Sequence, residues 1–135
     1  MKKYKGQVIV EFALILPLFL FIIYSIIYSG MLFHDYSTLS NIARASAREA
    51  ALSDESQYDT IAGNYESQLD TLMTNFYTKI GPKPIVIVPE GDDGVKTTIN
   101  MRLNVSGYFV DMILPQTFDV QYYMRKEPVN PISSD

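Results

Sequence analysis

The chain of 135 residues has no cysteine and only one histidine, His34. Without thiols there are no disulfides and no thiolate metal sites. A lone imidazole leaves little material for a nucleophile with its base, and no glycine-rich phosphate loop is present. Neither an enzyme nor a cofactor is therefore expected. Positive charge is scarce as well: from His34 onward 8 Lys and Arg face 14 Asp and Glu, a net charge of −6. That balance argues against nucleic acid, whose phosphates demand a basic face. Charge of either sign is missing altogether from residues 12–33.

Those 22 residues read FALILPLFLFIIYSIIYSGMLF. As a helix rising about 1.5 Å per residue they span roughly 33 Å, enough to cross a hydrocarbon core of about 30 Å. The apolar region of a secretory signal covers only about 7–15 residues and ends at small residues. This run is longer, and His34-Asp35-Tyr36 makes a poor exit site. The segment is expected to remain in the lipid bilayer as a transmembrane helix. Lys2, Lys3 and Lys5 precede it with no acid among them, which predicts a cytoplasmic N-terminus and an extracytoplasmic remainder. The length leaves room for one domain beyond the anchor. The expected organisation is a basic leader over 1–6, a transmembrane segment over 7–33, an extracytoplasmic α+β domain over 34–127, and a flexible tail over 128–135.

Residues 37–52, STLSNIARASAREAAL, are rich in alanine and free of proline and glycine, so the helix should continue beyond the membrane, giving one rod over about 8–52. Pro17 falls inside it, a position tolerated in membrane helices where neighbours satisfy the freed carbonyl. Ser53-Asp54-Glu55-Ser56 should break the rod and cap a second helix over about 57–78. There Tyr58, Ile61, Ala62, Tyr65, Leu69, Leu72, Met73 and Phe76 recur at three and four, the mark of one apolar face. Gly81-Pro82-Lys83-Pro84 ends the helical half, and the period then changes to two. Residues 85–88 form a short β-branched run, and Glu90-Gly91-Asp92-Asp93-Gly94 is a turn. Val95, Thr97, Ile99, Met101, Leu103 and Val105 alternate with polar residues, as do Phe118, Val120, Tyr122 and Met124. The reading is an α+β fold with about three antiparallel strands packed by one face on a helix.

Three places carry candidate chemistry. The first is the edge of the apolar run. A basic leader ends in Gly6, and the carboxylate of Glu11 stands five residues later, where lipid makes charge costly. Glu11 could rest among headgroups; if the chain were cut after Gly6, a new ammonium on Gln7 could pair with Glu11 of a neighbouring subunit. The second is the segment around Asn41. Arg44 and Arg48 lie one turn apart and either pair with acids on a neighbour or present a solvated face. Ala43, Ala47, Ala50 and Ala51 offer a smooth surface for close helix packing. The third is the run containing Tyr108, Phe109, Val110, Met112, Ile113 and Leu114, apolar enough to tuck into the core or to form an exposed patch. Glu90, Asp92 and Asp93 lack the ligand ladder of a calcium loop, which leaves them to a hairpin turn.

Gly6 followed after four residues by Glu11-Phe12 is similar to the type IV prepilin processing site, where the peptidase cuts after Gly and Glu is the fifth mature residue. The longer stretch Gly6-Gln7-Val8-Ile9-Val10-Glu11-Phe12-Ala13-Leu14-Ile15-Leu16-Pro17, with Asn41-Ile42-Ala43-Arg44-Ala45-Ser46-Ala47-Arg48-Glu49-Ala50-Ala51, resembles the TadE-like family of tight-adherence pilus assembly proteins. The resemblance covers most of the chain and is strongest over the first 52 residues. It implies a minor pilin or pseudopilin of a type IVb-like adhesive pilus, in a bacterial inner membrane and then in the filament. Its partners would be other pilins, the assembly machinery and a prepilin peptidase. The processing pair would be Gly6 and Gln7, with Glu11, Phe12 and Pro17 serving subunit pairing, and Asn41, Ala43, Arg44, Ala47 and Arg48 serving helix packing or inter-subunit contact. Gln7 departs from the aromatic or Met that commonly opens mature type IV pilins. The rival readings are an uncleaved bitopic scaffold of a secretion or envelope complex, and a principal pilus subunit.

Overall fold

A computed structural model describes residues 3–74, 76–104 and 116–126. The apolar run at 108–114, the whole tail over 128–135 and the residues before Lys3 lie outside that description. Helix α1 spans Lys3–Ala51, a single 3-10 turn spans Glu55–Gln57, and helix α2 spans Tyr58–Leu72. Four strands follow: β1 at Tyr77–Lys79, β2 at Ile85–Pro89, β3 at Gly94–Leu103 and β4 at Thr117–Arg125. The chain divides into two compact units, 1–33 and 34–135, with α1 contributing residues to both.

In the first unit most of the apolar side chains are exposed. Leu14 is 76% exposed and Phe21 70%. Side chains of this kind gain about 1.5–3 kcal/mol each on leaving water, so a continuous sleeve of them calls for lipid or neighbouring helices. The polar groups within the sleeve are satisfied locally. Ser25 Oγ donates to the Phe21 carbonyl at 2.8 Å, and Ser29 Oγ to the Ser25 carbonyl at 2.8 Å, as a medium without water demands. Pro17 sits inside α1; its missing N–H removes one rung from the backbone ladder there.

The second unit is an α+β layer. Along α1 the residues Leu39, Ile42, Ala43, Ser46, Ala47 and Ala50 are buried, while Asn41, Arg44, Ala45, Arg48 and Glu49 are exposed. That is one stripe at three-four spacing, its small residues allowing close approach to the core. From α2 come Tyr58, Ile61 and Leu69. From the sheet come Ile85, Ile87, Val95, Thr97, Ile99, Met101 and Leu103.

Strand β3 is the centre of the sheet. It pairs antiparallel with β1 over residues 101–103 and with β2 over 95–99, so those two strands lie end to end along one edge. Strand β4 takes the other edge, with Ile99 opposite Val120. The inward rows of β4 and β3 run side by side, Val95 opposite Met124, Thr97 opposite Tyr122 and Met101 opposite Phe118. Gly91 adopts φ +68° in the β2–β3 turn. At Gly94 a Cβ would meet the Glu90 carbonyl and the Tyr123 ring at 2.5 Å, so the turn closes only over a residue without one.

Three expectations are corrected. Helix α2 ends at Leu72, not near residue 78, and residues 77–79 form strand β1 opposite Leu103 and its neighbours. The sheet therefore has four strands where about three were expected. The cause is non-local: Met73 has ψ 150°, and the next residue, Thr74, is held by Asp35, 39 residues earlier. The break after α1 falls where expected, but Asp54 and Gln57 make no side-chain cap. Ser53 instead closes the end of α1, its Oγ donating to the Glu49 carbonyl at 2.9 Å.

Candidate functional site: an N-terminal segment and a cationic groove

The N-terminal candidates lie on consecutive turns of α1. Gly6 is exposed, and a Cβ added there would meet nothing within 4 Å. Gln7 donates from Nε2 to Glu11 Oε1 at 3.2 Å, one turn on, and both side chains are exposed. A carboxylate accepts several hydrogen bonds, so this neutral amide leaves most of its capacity unused. Phe12 is exposed beside it. Any processing or pairing chemistry here would involve a helix surface, since Gly6, Gln7 and Glu11 are all within α1.

The candidates of the 41–48 segment fall on two faces. Ala43 and Ala47 are fully buried in the core of the second unit. Asn41, Arg44 and Arg48 line the opposite, open side, where a groove of about 470 Å³ is completed by Ala45, Glu49, Leu52 and Tyr65. The Arg44 guanidinium lies over the Tyr122 ring, 5.4 Å from its centre, which holds a cation in place without neutralising it. Tyr65 closes the α2 side. Burial, then a hydrogen bond to Glu49 and that carboxylate's charge, raise its pKa above the usual tyrosine value. The groove thus presents two guanidiniums, the Glu49 carboxylate with its hydrogen bond from a neutral phenol, and the Leu52 side chain, 71% exposed.

One residue that the sequence reading passed over organises the start of this unit. Asp35 is fully buried, yet it carries a carboxylate. It accepts the Thr74 backbone N–H at 3.0 Å and the Thr74 hydroxyl at 2.5 Å, with His34 Nδ1 at 3.4 Å. Its charge adds to burial in raising the pKa of nearby Tyr77. The signal was present: Asp35 stands four residues before Leu39 on the same stripe as Ile42, Ser46 and Ala50, and a charge on an apolar stripe needs a buried partner. Beside it Tyr36 meets Phe118 edge to face, with ring centres 5.4 Å apart. Farther along, Lys79 of β1 bridges Asp70 at 2.7 Å and Glu66 at 3.0 Å of α2. Among the described residues there is no cluster of three or more His, Cys, Asp or Glu side chains placed to hold a metal.

Among the described residues one apolar helix is long enough to cross a membrane and continues into an α+β unit, which defines a class: a membrane-anchored protein with a folded domain beyond the anchor. Residues 6–48 match the family described as TadE-like protein, the family that the N-terminal motifs resemble. The chain thus carries a TadE-like segment, which associates it with the tight-adherence pilus system. That match takes in the Gly6–Pro17 opening and the segment from Asn41 as far as Arg48, three residues short of Ala51, and stops before α2 and the sheet. No curated protein and no solved structure matches the chain.

Proposed function

We propose that the protein is a minor pilin or pseudopilin of a tight-adherence pilus, matured by a prepilin peptidase that cuts after Gly6. The observation that carries this reading is the TadE-like match beginning at residue 6, joined to a sleeve of exposed apolar side chains on α1. Stored in the inner membrane with its N-terminus cytoplasmic, α1 passes from lipid into a bundle with other pilin helices. Lipid and neighbouring helices are equally apolar, so packing and polar pairing must select the register. Glu11, whose one hydrogen bond among the described residues is from the neutral Gln7 amide, is available to pair with the ammonium that cleavage creates.

Mass spectrometry of the membrane-extracted protein tests processing. A mature N-terminus at Gln7 is expected; an intact Met1-Lys2-Lys3 would overturn this reading in favour of an uncleaved scaffold. Glu11→Ala is expected to insert normally yet impair pilus assembly. Normal piliation in that variant would remove Glu11 from the mechanism.

A further inference from the structure

The second unit is strongly acidic, and Lys79, Lys83, Arg125 and Lys126 each meet an acid within it. Arg44, Arg48, Lys96 and Arg102 do not: among the described residues none of them forms an ion pair, and of the four Arg44 and Arg48 border the open groove. The complementary feature lies elsewhere on the same unit. In the β2–β3 turn Glu90, Gly91 and Asp92 are exposed, and among the described residues neither Glu90 nor Asp92 has a cationic partner. The turn is held at both shoulders. Glu90 N–H bonds the Gly94 carbonyl at 2.9 Å, and Lys126 N–H bonds the Asp93 carbonyl at 2.6 Å. Two cations at the groove and two anions at the turn, none of them in an ion pair among the described residues, therefore sit on separate, preformed surfaces of one chain.

We propose that the groove of Arg44 and Arg48 receives the Glu90–Asp92 turn of a second copy of this chain. The spacing is compatible. Residues one helical turn apart have Cβ atoms about 5–6 Å apart, and two residues along an extended turn reach at most about 7 Å. Each guanidinium meets one carboxylate as a charge-assisted pair, while Leu52 and Tyr65 exclude water at the rim. Because donor and acceptor surfaces differ, the contact is heterologous. Each added copy leaves one groove and one turn open, and the association propagates instead of closing. The inference goes beyond pilus association by naming the partner and both halves of the contact, and it does not depend on cleavage after Gly6.

The chain's lack of cysteine makes the test direct. Arg48→Cys and Asp92→Cys variants of the full chain, carrying different tags, are produced together in the membrane and oxidised. A mixed disulfide dimer is expected from the pair, none above background from either variant alone, and a ladder of higher species from a chain carrying both substitutions. Adding Arg44→Glu to the Arg48→Cys chain should abolish the mixed dimer, and adding Glu90→Arg to the Asp92→Cys chain should restore it. The proposal is overturned by a mixture that gives no dimer, by homodimers as abundant as the mixed species, by cross-linking to a different protein only, or by a charge swap that fails to restore. An uncleaved N-terminus with the ladder intact would sink the pilin processing reading and leave this one standing.

Discussion

Replacing Asp35 by alanine removes both bonds that stop α2 at Leu72. Hydrogen bonds to a charged acceptor contribute about 1.5–3 kcal/mol each, and Asp35 accepts two from Thr74, at 3.0 and 2.5 Å. Against them stands the desolvation of a fully buried carboxylate, which costs several kcal/mol and disappears with the side chain. The net loss is expected to be about 2 kcal/mol, with the Thr74 N–H left without its acceptor. For a unit of this size that lowers the unfolding midpoint by roughly 8–16 °C. Asp35→Asn keeps an acceptor for the N–H and should lose about 1 kcal/mol. Thr74→Val removes only the hydroxyl bond, so a cycle with Asp35→Ala should return a coupling of about 1 kcal/mol or more. The assay is thermal unfolding of the full chain in detergent, followed by near-ultraviolet circular dichroism of its tyrosines. A midpoint for Asp35→Ala within about 2 °C of the parent, with coupling near zero, would refute the reasoning.

Thr97→Val is expected to hold or raise stability, by up to about 1 kcal/mol, because the fully buried Thr97 hydroxyl has no hydrogen-bond partner among the described residues. A lowered midpoint on denaturant unfolding would show that hydroxyl to be satisfied after all. Alkaline pH should destabilise the second unit. Burial and the Asp35 charge raise Tyr77, and burial and Glu49 raise Tyr65. At Lys79 burial pulls the pKa down, but hydrogen bonds to Asp70 and Glu66 and the charges of both more than reverse it. All three groups hold their protons more tightly folded than unfolded. Their contribution is fully present below about pH 10 and is lost as pH rises through the raised folded values. Denaturant midpoints that stay level between about pH 8 and pH 11 would contradict this sign.

Much of this architecture could be read from the chain because its signals are local. A run without charge announces the anchor, alanines without glycine or proline carry α1 onward to Ala51, and strict alternation marks β3 and β4. Strand β1 escaped for a physical reason. Three residues are too few to display a period of two, and Phe76 falls in step with Leu69, Leu72 and Met73 as if the helix continued. What decides the matter is Asp35, a partner 39 residues away. The sites divide in the same way. The motif around Gly6 and Glu11 is legible as a string, and the structure adds only the Gln7 bond. That Arg44 and Arg48 share a face follows from their spacing, but the Tyr122 ring beneath Arg44 and the Tyr65 wall of the groove come from distant elements that only folding brings there.

Strand β3 is the partner of every other strand in the sheet, and this sets a timetable for biogenesis. A chain made from its N-terminus delivers the membrane helix first, then α2, β1 and β2. Neither β1 nor β2 has a ladder to join until residues 94–103 have emerged, and β4 comes later still. Throughout that interval the apolar stripe from Leu39 to Ala50 and the buried face of α2 have no sheet to cover them. Exposed apolar faces of this kind invite aggregation until the sheet is complete. A chain that ends short of β3 should therefore expose both apolar faces and be cleared by proteolysis.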